Sequence, residues 1–202
     1  MSNKYLNYDW TPVINFETGG INYYNKFLKS ASWPGGQSGI TIGIGADLGY
    51  LTENEFDAFF QKCFTPLETS QLKSTIGLKG FRAKAQLSSV KAIKLEWEDA
   101  SDIFIEWTLP KFWKLTNSVW PGTDQLCEKA QIALVSIVFN RGSSLKGPSR
   151  REMLHIRHLV SKQDYSAIAE QVRSMKRLWE NKGQDGLIKR REEEAKLIES
   201  CI

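Results

Sequence analysis

The 202-residue sequence lacks the long apolar runs and the leader of a membrane or secreted protein. No apolar run approaches the roughly 20 residues that a helix needs to cross a bilayer. The first ten residues lack both the apolar core and the cleavage site of a signal peptide. We therefore expect a protein that is made in the cytoplasm without membrane insertion and that reaches any external site of action by other means.

Cysteine and histidine are also scarce. The three cysteines, Cys63, Cys127 and Cys201, are widely spaced, form no Cys-x-x-Cys pair and have no histidine nearby. This pattern argues against a zinc site and against a disulfide framework. We interpret them as free thiols, with at most one disulfide possible. His155 and His158 have no third ligand nearby, so we expect them on a helix surface, and we expect no metal and no cofactor.

The charge balance excludes little. The chain carries 27 Lys and Arg against 23 Asp and Glu, a formal net charge of +4. Such a mild excess suits nucleic acid, a phospholipid surface or bacterial cell wall, although many proteins without an anionic partner are as basic. The charged run at 189–194 places opposite charges three and four residues apart, which helix self-stabilisation explains without nucleic acid. We expect no nucleic-acid partner.

The N-terminal part begins with a short predicted helix. Asp9 or Thr11 can cap this helix, Glu17 lies at its end, and Gly19-Gly20 stops it. Residues 21–51 then carry turn and β-type residues, which predict a small twisted sheet or hairpin. Residues from about 1 to 51 are thus the predicted β-containing part.

From residue 52 onward the signals are helical. Thr52 with Glu55 and Thr65 with Glu68 have capping-box spacing. Pro110 predicts a kink or a break in the helical stretch around it.

The longest apolar helix comes later in the chain. Asp124 is its predicted cap, and 140–142 is its predicted end. Asp164 is the predicted cap of a later amphipathic helix. Without a repeat or an evident linker, the chain is predicted to be a single α+β domain over 1–202, with a helical part from about 52 to 202.

Glycine is concentrated in one stretch, from Trp33 to Tyr50, which holds six of the 15 glycines. Two small polar residues, Thr41 and Asp47, stand between these glycines. Our hypothesis is that they converge with Glu17 on one cleft and hydrolyse a glycosidic bond, a reaction that usually needs two carboxyl groups. Each residue also has an ordinary interpretation. A glutamate at a helix end is commonly solvated, Thr41 is a β-former, and Asp47 suits a turn or a cap.

Three segments resemble the phage-type lysozymes. Thr41-Ile-Gly-Ile-Gly45 is similar to their sheet motif, which faces a glutamate at the end of the first helix. Ala133-Leu-Val-Ser-Ile-Val-Phe-Asn140 is similar to their buried central helix, and Gly186-Leu-Ile-Lys-Arg-Arg-Glu-Glu-Glu-Ala195 to their closing helix. The resemblance implies a lysozyme-like fold and hydrolysis of peptidoglycan, most simply as a muramidase.

The chain departs from the common pattern at the second carboxylate. Phage lysozymes place an aspartate six residues before the motif threonine, where this chain has Gly35. Asp47 stands six residues after Thr41 instead, an order that resembles the lysozyme-like toxin domain of the bacteriocin pesticin and related peptidoglycan hydrolases. The resemblance implies that Glu17 is the acid, that Asp47 and Thr41 position water, and that the anomeric configuration is inverted.

Four further residues are candidates for substrate binding. Tyr24 and Trp33 can stack on sugar faces, although core packing suits each equally well. Ser38 and Arg141 can hydrogen-bond glycan hydroxyls or the peptide stem. Arg141, just past a buried helix, can equally interact with the C-terminal carbonyls of that helix.

The expected partner is bacterial peptidoglycan. We expect the protein to be a monomer and to act in the periplasm or in the cell wall. The delivery route stays open between an endolysin that passes a holin, a secreted effector and a delivered toxin. An immunity protein is expected only for the last two. The rival functions are hydrolysis of another amino-sugar polymer such as chitin or chitosan, binding of wall glycan without cleavage, and binding of nucleic acid.

Overall fold

The structure, a computed structural model, describes residues 4–202 and is an α+β fold with one small sheet. Strands β1 (Thr41–Ile42) and β2 (Ala46–Asp47) pair antiparallel, with Thr41 opposite Asp47 and Ile42 opposite Ala46. Helices make up most of the remaining regular structure. The predicted class, a lysozyme-like fold with a small sheet near the N-terminus and a helical remainder, is confirmed.

Eleven α-helices are formed within the described residues. Those up to residue 103 are α1 (Thr11–Thr18), α2 (Ile21–Tyr23), α3 (Glu53–Phe59), α4 (Pro66–Lys73), α5 (Phe81–Val90) and α6 (Trp97–Ile103). Those that follow are α7 (Leu109–Val119), α8 (Glu128–Arg141), α9 (Arg151–Val160), α10 (Tyr165–Ser174) and α11 (Asp185–Glu199). Short 3-10 helices lie at Lys4–Asn7, Leu48–Tyr50, Gln61–Cys63, Thr123–Gln125, Pro148–Arg150 and Met175–Leu178, and π-helical turns at Tyr24–Leu28 and Phe104–Thr108.

The local capping signals act as predicted. Thr52 and Thr65 each form a complete capping box, at the start of α3 and α4. The carboxylate of Asp164 accepts a hydrogen bond of 3.0 Å from the backbone N–H of Ala167 and caps α10. These caps satisfy N–H groups that a helix cannot pair by itself.

The prediction of β structure from residue 21 is wrong, because 21–28 is helical. Helix α2 continues directly into the π-helical turn at Tyr24–Leu28. The ring of Tyr24 is fully buried, and its hydroxyl donates to the carbonyl of Leu95 at 2.9 Å. This tertiary contact outweighs the β-preference of the aromatic residues.

Pro110 does not break the helical stretch into separate segments. Helix α6, the π-helical turn and α7 follow one another without a gap from Trp97 to Val119. The N–H of Leu109 bonds to the carbonyl of Phe104, five residues back. A π-turn is a known way for a helix to rearrange its hydrogen bonds, here directly before the residue that has no N–H to donate.

Helix α8 begins later than predicted, at Glu128, with Cys127 rather than Asp124 at its N-cap. Asp124 lies in the preceding 3-10 helix. The side-chain amide of Gln131 donates to the carbonyl of Leu126 at 2.5 Å. The segment before Glu128 is therefore bonded to a side chain of α8 and does not extend the helix. The predicted burial and end of α8 are confirmed, since residues 130–138 are buried and Gly142 closes the helix with φ 74°.

The described chain clusters into two compact units, one of residues 14–109 and one of residues 4–13 with 110–202. In the second unit, α8 lies in a core formed by residues of α7, α9, α10 and α11. In the first unit, the buried residues include Ile40, Ile42 and Leu48 of the sheet region, Phe56 of α3 and Phe60 at its C-cap. The single domain expected over 1–202 stays a prediction.

The interpretation of all three cysteines as free thiols is wrong. Cys127 and Cys201 form a disulfide, with Cα atoms 6.2 Å apart across 74 residues of sequence. Both lie in the second unit, where α11 packs on α8 and brings the chain end to the start of that helix. Cys63 is the free cysteine, half-buried in the 3-10 helix Gln61–Cys63.

Within 4–202, no helix is both long and apolar enough to cross a membrane. In the same part of the chain, no group of three His, Cys, Asp or Glu side chains is placed to hold a metal ion. His155 and His158 are exposed on α9, as predicted.

Candidate active site

Thr41 and Asp47 are brought together by the hairpin. They are directly opposite residues of β1 and β2. The N–H of Leu48 donates to the carbonyl of Ile40 at 2.8 Å, so the ladder bonds flank this pair and the pair itself is the non-hydrogen-bonded kind. Side chains of such a pair project from the same face of the sheet, with Cβ atoms about 4.5–5.5 Å apart. The register therefore places a hydroxyl beside a carboxylate.

The carboxylate of Asp47 is held by two backbone donors. Its Oδ1 accepts from the N–H of Gly49 at 2.8 Å and from that of Gly39 at 2.9 Å. Its Oδ2 is 3.1 Å from the same Gly39 nitrogen. The bond from Gly49 caps the 3-10 helix Leu48–Tyr50. Oδ1 thus receives two backbone bonds, whereas Oδ2 shares one of these donors and keeps acceptor capacity for a water molecule.

Glycine is required at positions 39 and 49 because the backbone approaches this carboxylate so closely. A Cβ on residue 39 would lie 2.4 Å from Asp47 Oδ1 and 2.4 Å from the nitrogen of Gly49. A Cβ on residue 49 would lie 2.7 Å from the carbonyl oxygen of Leu78. Two glycines of the glycine-rich stretch therefore serve the close approach of backbone to a side chain.

Thr41 is held at its backbone and open at its side chain. Its N–H and carbonyl both bond to Ser32, at 2.8 and 2.9 Å. Its half-buried hydroxyl makes no hydrogen bond to the rest of the chain from Lys4 onward. The hydroxyl is therefore available to a water molecule or to a substrate.

Glu17 lies in the last turn of α1, in the same compact unit as Thr41 and Asp47. The helix closes with a 2.8 Å bond from the N–H of Gly19, whose φ is 72°, to the carbonyl of Asn15. The Glu17 side chain is half-buried, and its Oε1 is shielded from solvent. The predicted helix end, with a carboxyl on its last turn, is confirmed. The convergence of Glu17 with the hairpin pair stays a prediction.

Trp33 and Ser38 are joined to each other. The indole N–H of Trp33 donates to the carbonyl of Ser38 at 3.0 Å, and the N–H of Gly80 donates to the same oxygen at 3.0 Å. Trp33 is half-buried, with the ammonium of Lys84 5.3 Å from its ring centroid. The indole therefore closes the loop 33–38 and also faces a cation. The sequence predicted neither contact.

Tyr24 does not belong to a substrate-binding set. Its side chain is 0% exposed, and its hydroxyl is used by the carbonyl of Leu95. Burial, together with nearby Glu96 and Asp99, raises the pKa of this phenol. The alternative that the sequence left open, core packing, describes this ring.

Arg141 lies in the second unit, at the last residue of α8. Its guanidinium donates to the carbonyl of Ser149 and lies 5.1 Å from the ring centroid of Trp179. Burial first, and then the positive charges of Arg150 and Arg191, lowers the pKa of Arg141 to about 10. Its contacts hold it between helices of this unit, and substrate binding by Arg141 stays a prediction.

The sequence did not predict that residues 77–80 pack on the hairpin. The N–H of Gly77 donates to the carbonyl of Leu48 at 3.1 Å, and Gly80 bonds to Ser38 as above. Gly77 and Gly80 adopt φ of 75° and 58°, conformations that favour glycine. These two glycines, within an otherwise helical stretch, were the signal that the sequence offered.

Comparison with known proteins identifies a family. The phage lysozyme family model matches residues 65–194, which is more than half of the chain. The match includes the segments 133–140 and 186–194 but begins after Asp47, so all three predicted catalytic residues lie outside it. Among curated proteins, none matches the chain.

Proposed function

The chain belongs to the phage lysozyme family, a family of peptidoglycan hydrolases, and on that premise we propose that it is a muramidase that cleaves the glycan strands of bacterial cell wall. Glu17 is the proposed acid that protonates the departing glycosidic oxygen. Asp47 is the proposed carboxylate that positions and deprotonates the attacking water, and Thr41 holds the same water by its hydroxyl. No cofactor takes part in this proposal.

The observation that carries the proposal is the Thr41–Asp47 pair. A hydroxyl and a carboxylate on one face of a hairpin, whose strands are two residues long, can bind one water molecule between them. Because the N–H groups of Gly39 and Gly49 bond to Oδ1, the carboxylate is held in one orientation. Oδ2 accepts only the longer bond from Gly39 and keeps acceptor capacity for the water. A fixed acceptor beside a fixed hydroxyl is the preorganisation that water activation needs.

The proposed stereochemical outcome is inversion. An inverting hydrolase keeps its two carboxyl groups about 6.5–9.5 Å apart, because a water molecule must fit between the base and the sugar. We assign Asp47 as a general base that activates water and not as a nucleophile, and this role requires the wider spacing. Proton NMR of the first products formed from a soluble glycan substrate separates inversion from retention.

Replacement of the acid gives the first test. We expect Glu17→Gln to lower hydrolysis of purified peptidoglycan by at least about 100-fold, the usual contribution of a positioned acid or base. The thermal midpoint should stay almost unchanged, because the glutamine has the same shape at a helix end. Full hydrolysis by this variant would overturn the assignment of Glu17.

The sugar ends of digested wall identify the bond that is cut. A muramidase leaves reducing muramic ends, a glucosaminidase leaves glucosamine ends, and a lytic transglycosylase leaves anhydro ends. Mass spectrometry distinguishes the three. Release of sugar from chitin or chitosan, with none from peptidoglycan, would favour the rival hydrolase. Retention on wall without any release would favour a binding protein.

The proposed place of action is the periplasm or the wall, because the proposed substrate lies there. The order Glu17, Thr41, Asp47 resembles the pesticin toxin domain, which makes delivery as a toxin or effector part of this proposal. Delivery as a toxin or as an effector would require an immunity protein in the producing cell. Release as an endolysin would require a holin.

A further inference from the structure

The positive charge of the chain is concentrated in one acid-free segment. No Asp or Glu occurs from residue 69 to residue 95. The cationic residues of this segment are Lys73, Lys79, Arg82, Lys84, Lys91 and Lys94. Outside it, the chain has 21 cationic residues against all 23 of its acidic ones. The net charge of +4 therefore arises from this segment alone.

Most of this charge is not neutralised by the protein. Lys73 pairs with Asp57 at 2.5 Å. The other five cations of the segment form no ion pair with any carboxylate of residues 4–202. Arg82 and Lys84 are exposed in the first turn of α5, where the helix dipole adds positive potential. Unneutralised charge of one sign on a surface attracts a partner of the opposite sign.

Two of these cations are held in place by aromatic rings. The ammonium nitrogen of Lys79 lies 3.5 Å from the ring centroid of Tyr50, and that of Lys84 lies 5.3 Å from the centroid of Trp33. Such cation–π contacts restrict a flexible lysine and leave its N–H donors for a ligand. Phe81, between the two lysines, is 83% exposed and offers a free apolar ring.

These cations flank the hairpin that carries Asp47. Gly77 bonds to Leu48, the residue that follows Asp47, and Gly80 bonds to Ser38, next to Gly39. The carbonyl of Ser38 also accepts the indole N–H of Trp33. These hydrogen bonds therefore connect the start of α5 and the indole of Trp33 to the hairpin that carries the proposed catalytic carboxylate.

We propose that Lys79, Arg82 and Lys84, the cationic patch, bind the carboxylates of peptidoglycan while the adjoining hairpin acts on its glycan. This inference rests on the proposed function and narrows it. Stem peptides give peptidoglycan a dense array of carboxylates, whereas chitin has none and chitosan is cationic. The patch thus selects the anionic wall polymer among amino-sugar polymers. A nucleic acid would satisfy the charge, but the connection to Asp47 favours the wall.

The test compares two triple variants with the same charge change. One is Lys79→Gln with Arg82→Gln and Lys84→Gln. The other, the control, is Lys62→Gln with Lys129→Gln and Lys162→Gln, three exposed lysines outside the acid-free segment. The kcat/KM is measured on native peptidoglycan and on peptidoglycan whose carboxylates are amidated with carbodiimide and methylamine. Circular dichroism confirms that both variants are folded.

We expect the patch variant to lose about eightfold in kcat/KM on native peptidoglycan at low salt, about twofold for each exposed ion pair, mainly through KM. On amidated peptidoglycan it should match the wild type. High salt should remove the difference, because the Debye length shrinks to about 3 Å at about 1 M. The control variant should match the wild type on both substrates.

The possible failures are distinguishable. If the active wild type and the patch variant hydrolyse native peptidoglycan equally, the patch proposal is overturned and the proposed function stands. If the wild type releases no sugar ends at all, the proposed function fails, and sedimentation with native and amidated wall still decides whether the patch binds carboxylates. Loss of DNA binding in the patch variant, with wall binding unchanged, would overturn the patch proposal in favour of nucleic acid.

Discussion

The carboxylate of Asp47 has two roles, as a cap within the fold and as the proposed base. Both oxygens lie near backbone N–H groups, but Oδ1 receives the two shorter bonds. An asparagine keeps a carbonyl oxygen at that position, and Asn and Asp cap helices about equally well. The fold should therefore tolerate Asn at a position where the chemistry requires a carboxylate.

Two substitutions of Asp47 separate the roles. We expect Asp47→Asn to lower kcat by at least about 100-fold without a change of thermal midpoint beyond that of a surface substitution. Asp47→Ala should lose the activity and also about 1–2 kcal/mol of unfolding free energy, since the Gly39 and Gly49 N–H groups lose their acceptor. Steady-state kinetics and denaturant unfolding of the two variants give the comparison. Normal kcat in the Asn variant would restrict Asp47 to capping.

Among the elements, α9 is tied to the segment after α10 by a buried carboxylate. The side chain of Glu152 is 1% exposed and accepts from Arg177 Nε at 2.6 Å and from Arg151 Nε at 2.8 Å. Burial by itself would raise the pKa of Glu152, but the hydrogen bonds from Arg177 and Arg151 outweigh it and hold the pKa below its usual 4.5. The native state therefore favours the ionised carboxylate more than the unfolded chain does.

This ion pair predicts an acid-sensitive contribution to stability. Because the native pKa is depressed, the stabilisation is present above the unfolded pKa and is lost as pH falls through the lower native pKa. We expect Glu152→Gln to lower the unfolding free energy by about 1–3 kcal/mol near neutral pH. The gap should narrow at an acidic pH well below 4.5, because the wild-type carboxyl becomes protonated there and is then uncharged like the glutamine. Denaturant unfolding at both pH values tests it, and a gap independent of pH would contradict the assignment.

Helices α8 and α11 are joined by a buried polar network. The hydroxyl of Ser136 donates to Glu194 at 2.6 Å, and Arg190 donates to the carbonyl of Ser136 at 3.1 Å. Arg191 pairs with Glu194 at 2.8 Å, and both side chains are fully buried. The predicted three- and four-residue charge spacing is present, but these charges link two helices inside the core and do not face solvent. Removal of one partner from such a pair commonly costs about 3–5 kcal/mol.

At the scale of the whole chain, the disulfide determines how the protein responds to reductant. The bond between Cys127 and Cys201 closes 74 residues, a loop for which chain entropy predicts a stabilisation of about 4 kcal/mol. We expect reductant to lower the thermal midpoint of the wild type. The double variant Cys127→Ser with Cys201→Ser should have a lower midpoint that reductant does not change. An unaltered wild-type midpoint after complete reduction would contradict a stabilising bond.

The remaining thiol serves as an internal check on this pairing. Burial, followed by the charge of Asp99, raises the pKa of Cys63 to about 11, so the thiol stays protonated and reacts slowly at neutral pH in the folded protein. Alkylation of the unfolded chain without reductant should modify Cys63 alone. Three modified cysteines under those conditions would exclude the disulfide.

The sequence by itself determined the features that depend on neighbours along the chain. The capping boxes at Thr52 and Thr65 and the cap at Asp164 operate within a few residues, and the helix they begin is present in each case. The apolar residues on all sides of α8 predict that this helix is buried, as it is in the structure. The motifs at 133–140 and 186–195 indicated the family that the match over 65–194 shows.

Only the tertiary structure decided where distant residues meet. Tyr24 is buried because its hydroxyl reaches Leu95, and Asp47 is fixed because two glycine backbones close on it. The cysteine pairing required α11 to pack on α8. Local propensities act over one helical turn, whereas these contacts join residues up to 74 positions apart and form only when the packed elements bring them together.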